Sequence, residues 1–211
     1  MNKERKKGKF IVLEGIDGSG LSTQTLRLKD YLLQNYAIKA VLAKEPSEGL
    51  IGALIRQILS GRVTGIHDRI LALLFAADRL DHIHNKILPI LDKGDFVICD
   101  RYLWSSFAYQ GLTNELVWIE EINKYALKPD LTIFIRVRPE TSMQRICSSR
   151  IKTEIFETRE TLEKVLANYE KIFKKWQECG KNVAEIDGEK DPQSVQIDIM
   201  RSIDEFLQRM E

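Results

Sequence analysis

Five short strand-like runs, most of them nearly unbroken in apolar residues, punctuate this chain: FIVLE (10–14), KAVLA (39–43), FVICD (96–100), LTIFIRV (131–137) and NVAEI (182–186). A half-exposed strand alternates apolar and polar residues, so runs without that alternation point to strands covered on both faces, as in a parallel sheet. Helical patterns fill the intervals, beginning near Ser22, Gly49, Ile66, Leu103, Glu115, Pro139, Thr158 and Asp191. Pro139 suits a first helical turn, and Asp191 followed by Pro192 reads as an N-cap with proline at the next position. Strands alternating with helices imply βαβ units, hence an α/β fold with a five-stranded parallel sheet and helices on both faces. No internal repeat or linker divides the 211 residues, which are expected to form a single domain, 1–211.

Composition limits the partners. Lys plus Arg (32) nearly balances Asp plus Glu (31), so no global field marks a nucleic-acid binder and any anion site must be local. The basic opening MNKERKKGK reads as a solvated tail without the apolar stretch of a signal peptide. No window holds the roughly 18 apolar residues of a membrane span. A cytoplasmic protein with neither nucleic acid nor membrane as partner is expected. Cys99, Cys147 and Cys179 are odd in number and widely spaced, which argues against a disulfide framework or zinc site. His67, His82 and His84 lack ligand spacing and read as surface or packing residues. The least apolar segment, SSRIKTEIFETRETLE (148–163), lies between two helical patterns and is the candidate for a short lid, about 148–160.

The stretch GIDGSGLS (15–22) follows the first strand and opens a helix. Glycines in that position let backbone N–H groups turn inward as an anion nest at a helix N-terminus, with the Ser22 hydroxyl facing a magnesium ion. The phosphate-loop pattern G-x-x-x-x-G-K-[ST] asks for lysine at position 21, and the chain has leucine. An ammonium about 4 Å from a phosphate charge is worth roughly 4 kcal/mol at an effective dielectric near 20. Its loss is expected to slow phosphoryl transfer about a hundredfold unless another cation takes over. The amides belong to the backbone and survive the change. Further on, FVICD ends in Asp100, where a carboxylate at the carboxyl end of a buried strand can hold magnesium through water. Arg101 follows it with a guanidinium able to grip a phosphate with two hydrogen bonds.

From FIVLEGIDGSG through KEPSEG, LLFAADRLDHI and DRYLWSSFAYQG to EIDGEKDPQSV, nearly the whole chain resembles the thymidylate kinase family, P-loop enzymes that move the γ-phosphate of ATP onto dTMP to give dTDP. The resemblance implies ATP and Mg2+ as cofactors, dTMP as substrate and a homodimer. It implies that Gly15, Ile16, Asp17, Gly18, Ser19, Gly20, Leu21, Ser22 and Thr23, with Arg145, hold the nucleotide, and that Ser22 and Asp100 serve the metal. Asp17, Arg101, Arg150 and Lys152 match catalytic positions, the last two as lid cations. Glu45, Pro46, Phe75, Arg79, Arg101, Ser105, Ser106 and Tyr109 match the acceptor site: Phe75 stacks on thymine, Arg79 reaches its carbonyl edge, Arg101 clamps the phosphate, and Tyr109 packs on the deoxyribose. The chain departs from the family at Leu21, at Lys44 where arginine usually precedes the glutamate, at Arg136 where aspartate is usual, and at Ile155 where the lid usually has arginine.

Two alternatives stand beside a thymidylate kinase. One is a nucleotide-binding protein of the same fold without efficient turnover, motivated by Leu21 and Ile155. The other is a kinase for a different nucleoside monophosphate, motivated by Ser106 and the bulky Trp104. The segment LALLFAADRLDHIHNKILPIL (71–91) is apolar on more than one face, which predicts a helix buried against the sheet and, by resemblance, against a second subunit.

Overall fold

The computed structural model describes residues 7–149, 158–178 and 182–209. Among them, five parallel strands form one sheet: β1 (Phe10–Glu14), β2 (Ala40–Lys44), β3 (Phe96–Asp100), β4 (Leu131–Arg136) and β5 (Val183–Asp187), in the spatial order β2-β3-β1-β4-β5. Each expected strand is present within one residue of its expected position.

The apolar runs are explained by the two sides of the sheet. On one side Phe10 and Val12 of β1, Val97 and Cys99 of β3 and Phe134 of β4 pack with Trp104, Tyr169 and Phe173. On the other, Ile11, Leu13, Ile98, Ile133 and Ile135 pack with Leu28, Leu32, Ile199 and Ile203. Successive residues point to opposite faces of a strand, so a strand covered twice must be apolar throughout.

The helices are α1 (Leu21–Tyr36), α2 (Leu50–Leu59), α3 (Asp68–His82), α4 (Leu88–Leu91), α5 (Leu103–Tyr109), α6 (Leu116–Ile122), α7 (Pro139–Ser149), α8 (Arg159–Glu178) and α9 (Pro192–Gln208). Two N-caps are explicit: Asp191 accepts from the N–H groups of Gln193 and Ser194, and His67 accepts from that of Arg69. The long apolar segment at 71–91 is helical throughout but widens into a π turn at Ile83–Ile87, where the Leu88 N–H reaches back to Ile83 O. Pro89 has no N–H, and its ring crowds the carbonyl four residues earlier, so a wider turn relieves both problems.

Register places the site. Lys44 lies opposite Asp100, and Leu13 opposite Asp100 from the other side, so the carboxyl ends of β1, β2 and β3 converge on one edge of the sheet. In open α/β sheets that edge is where ligands bind.

Candidate active site

Between β1 and α1 the chain turns through Gly18 (φ 74°) and Gly20 (φ 93°), left-handed conformations that suit glycine. A side chain at Gly18 would also meet Ser142 O at 2.8 Å. Ser142, on α7, donates its hydroxyl hydrogen bond to Asp17 O and ties the loop to that helix. Helix α1 starts with no side-chain cap and no acidic residue in its first turn. Its leading N–H groups are therefore available to an external anion, reinforced by the helix dipole.

Ser22 donates to Asp100 Oδ2 at 2.5 Å, and the Lys44 ammonium is 3.3 Å from the same oxygen. A hydroxyl and a carboxylate are the hard oxygen donors that magnesium takes, and no group of three or more His, Cys, Asp and Glu side chains forms a fuller cage among the described residues. That fits a cation which keeps most of its waters and borrows phosphate oxygens. Leu21 turns the other way: only 5% exposed, it joins the apolar cluster of Ile11, Leu13, Ile133 and Ile135 beneath the sheet.

Arg101 adopts φ 68° between β3 and α5, a costly conformation for a residue with a Cβ. Its guanidinium donates to Gly15 O (2.8 Å), Asp17 Oδ1 (2.7 Å) and Ser105 Oγ (3.3 Å), and lies over the Tyr109 ring. Burial opposes its charge, but the Tyr109 oxygen and the Asp17 carboxylate outweigh that and hold it protonated. Tyr109 donates to Asp17 Oδ2 at 2.9 Å, and burial pushes its phenol well above the ordinary value.

Beneath this triad sits Glu14, fully buried. It accepts from the Tyr102 and Ser105 N–H groups (3.0 and 3.3 Å), from the Ser105 hydroxyl (2.7 Å) and from the Tyr169 hydroxyl (3.0 Å). Burial raises its pKa despite those donors and the nearby Arg101. The sequence reading missed Glu14 and Ser142. For Glu14 a signal existed: a carboxylate closing an otherwise apolar run.

A cavity of about 500 Å³ opens beside Arg101 and gathers most of the expected acceptor residues, Glu45, Pro46, Phe75, Arg79, Arg101, Ser105 and Tyr109, together with Asp17. Lys44, Glu48, Arg56, Tyr102 and Gln110 also line it. Arg79 is only 1% exposed; it pairs with Glu45 at 2.9 Å and donates to Tyr102 O (3.1 Å), Ser106 Oγ (3.0 Å) and Asn123 Oδ1. Ser106 thus stands behind Arg79 rather than on the cavity wall. The Arg79 Nε, buried, has no hydrogen-bond partner in the protein. Asp78, adjacent in sequence, is engaged elsewhere, accepting from the N–H and hydroxyl of Ser47 at 2.7 and 2.6 Å. His82 is buried with Nδ1 3.4 Å from Glu45.

Arg145 donates to Gly188 O, linking α7 to the turn after β5. Arg150, Lys152, Ile155, Cys179 and most of the proposed lid lie outside the described residues. Cys99 is buried, and burial pushes its thiol up; Cys147 is exposed. No helix among the described residues is long and apolar enough to cross a membrane.

The family model described as thymidylate kinase matches residues 13–199. The probable thymidylate kinase of Thermococcus onnurineus is 43% identical over 177 residues, covering 80% of this chain and 86% of that protein. That of Methanocaldococcus jannaschii is 44% identical over 161 residues, covering 76% and 79%. The putative thymidylate kinase of Aeropyrum pernix is 37% identical over 181 residues, covering 85% and 86%.

Proposed function

The chain belongs to the thymidylate kinase family, and from that premise we propose how its residues transfer the γ-phosphate of ATP to dTMP. Phosphoryl transfer asks a protein mainly for positioning and for charge at the moving group. The observation that carries the reading is the meeting of two anion-binding devices at one sheet edge. The uncapped start of α1 lies on one side, and the Arg101 guanidinium, 2.7 Å from Asp17, lies on the other.

The donor phosphates lie on the amides of Gly15 to Thr23. Ser22 and Asp100 would hold magnesium, which would supply positive charge against the donor phosphates. The acceptor's phosphate takes Arg101 from Asp17, and the freed Asp17 carboxylate stays with Tyr109 near the sugar. Phe75 and Pro46 flank the base. Arg79, fixed by Glu45 and Asn123, presents its guanidinium to the base from the cavity wall. Its four existing contacts support a preorganised donor, with little ordering left to do on binding. Arg145, Arg150 and Lys152 belong to the donor side, the last two on the lid at about 148–160 of a single domain, 1–211.

The homodimer is part of the proposal. Leu50, Leu54, Ile70 and Leu73 on α2 and α3 are exposed large apolar side chains, which supports that face as the interface. A cytoplasmic location is proposed from the sequence alone. Leu21 favours a second reading, nucleotide binding without efficient turnover, because no cation projects from position 21.

Steady-state ADP release with ATP and dTMP, against dUMP, dCMP and dGMP at equal concentration, tests the assignment. Preferential turnover of dTMP is expected. Tight ATP binding with no turnover of any acceptor would establish the second reading, and preference for another monophosphate would redirect the acceptor assignment.

A further inference from the structure

We propose that Lys44 supplies the positive charge that position 21 lacks, its ammonium donating a hydrogen bond to a non-bridging oxygen of the phosphoryl group in transfer. The inference rests on the kinase reading and concerns a residue which that reading leaves without a role.

Four cations line the acceptor cavity: Lys44, Arg56, Arg79 and Arg101. Three are anchored by several partners. Arg56 donates to Pro46 O and Ser47 O, Arg79 to Tyr102 O and Ser106, and Arg101 to Gly15 O and Asp17. Lys44 is placed differently. It is the last residue of β2, opposite Asp100 in the ladder, with 59% of its side chain exposed and its ammonium 3.3 Å from Asp100 Oδ2. That oxygen also accepts from Ser22, in the first turn of α1. One carboxylate oxygen therefore joins Lys44 to the phosphate loop, while the same side chain borders the acceptor cavity. The ammonium stands between donor and acceptor sites.

Three physical points make Lys44 a mobile charge. Lysine carries a compact charge on a flexible four-carbon stem, unlike the planar arginine fork. The lysine end of the Lys44–Asp100 pair is open to water although the carboxylate is buried, so the ammonium is screened on one side and can leave without itself being stranded in the interior. Added positive charge on the Asp100 carboxylate repels the ammonium and loosens it further. Leu21 cannot do this work, since its side chain is packed in the core on the far side of the loop.

In the transfer itself an oxygen of the acceptor phosphate attacks the γ-phosphorus as the bond to the bridging oxygen breaks. The electron pair of that bond stays on the departing ADP oxygen. Lys44 keeps its proton throughout and stabilises the charge spread over the equatorial oxygens.

The test compares the unaltered chain with Lys44→Met and Lys44→Arg. Three quantities are measured: kcat with ATP and dTMP, the calorimetric Kd for dTMP, and the calorimetric Kd for ATP in EDTA without any divalent cation. For Lys44→Met, kcat falls about 100-fold and metal-free ATP binding weakens about tenfold, while the dTMP Kd stays within about twofold; Lys44→Arg recovers at least roughly tenfold of the lost kcat. A Lys44→Met kcat within about threefold of the unaltered chain overturns the proposal, as does a loss carried wholly by the dTMP Kd. Absence of turnover in the unaltered chain would instead defeat the kinase reading. Metal-free ATP affinity would then judge Lys44 alone, and an unchanged value in Lys44→Met would overturn its role.

Discussion

The two halves of the site are built from different materials. The proposed donor side, Gly15 to Ser22, is made of main-chain N–H groups at the start of α1, with glycine supplying the backbone shape. The proposed acceptor side is made of charged and polar side chains locked to one another: Arg79 with Glu45, Arg101 with Asp17 and Tyr109, and Ser105 with the buried Glu14. A site made of backbone is expected to tolerate a changed side chain, and Leu21 is folded into the core while the start of α1 stays uncapped. A site made of interlocked charges does not, because removing one member strands its partner, most severely at the buried Arg79–Glu45 pair.

The contrast can be broken most sharply at Arg101. Arg101→Met removes the proposed clamp on the acceptor's phosphate, and kcat/KM for dTMP is expected to fall about 1,000-fold or more, while calorimetric ATP affinity stays within about twofold. Equal loss on both ligands would mean that the halves are not separable. Next comes Glu45→Ala, which strands the Arg79 guanidinium; chemical denaturation should show a loss of about 3–5 kcal/mol, much of it recovered in Glu45→Ala with Arg79→Met. If the double variant were no more stable than the single, the ion pair would not be the cause.

Leu21→Ala probes the tolerant half. Truncating a packed leucine costs roughly 2–5 kcal/mol of stability, yet ATP affinity is expected to change by less than about threefold, since the amides do the holding. A large affinity loss with little destabilisation would reverse that order. The smallest effect concerns Glu189, which accepts from Arg138 and Thr141 and anchors the turn after β5 to α7. Burial alone would raise its pKa, but those donors and the Arg138 charge lower it from 4.5 to about 2. The unfolded chain then binds the proton more readily, so this contribution is fully present above pH 4.5 and is lost as pH falls through about 2. Glu189→Gln should therefore lie closer to the unaltered chain in stability at pH 2.5 than at pH 6. A constant difference would deny the link.

Much of this was legible in the sequence because the signals are local. The double-sided strands, the glycine turn into α1, and the Asp100–Arg101 pair at a strand end each follow from neighbours in the chain. What stayed hidden depends on distant partners. Ser142 reaches Asp17 O from α7, 125 positions away, and Asn123 meets Arg79 from beyond α6. Leu21 could be recognised as a departure, but whether it faced the phosphates or the core depended on packing between α1 and the sheet. Phe75 and Arg79 line one cavity, whereas Ser106 lies behind Arg79, a placement set by the packing of α5 against α3.

The carboxylate held 2.7 Å from the Arg101 guanidinium is, in effect, a resident decoy for an anionic guest. Any phosphate arriving there gains only the difference between its own attraction and that of Asp17, so affinity for the monophosphate is discounted before chemistry begins. The discount applies equally to the diphosphate, which keeps the same sugar-proximal phosphate, and a guest held less firmly leaves sooner. Where departure of the finished nucleotide sets the pace, such a decoy shortens each cycle without touching the bond-breaking step.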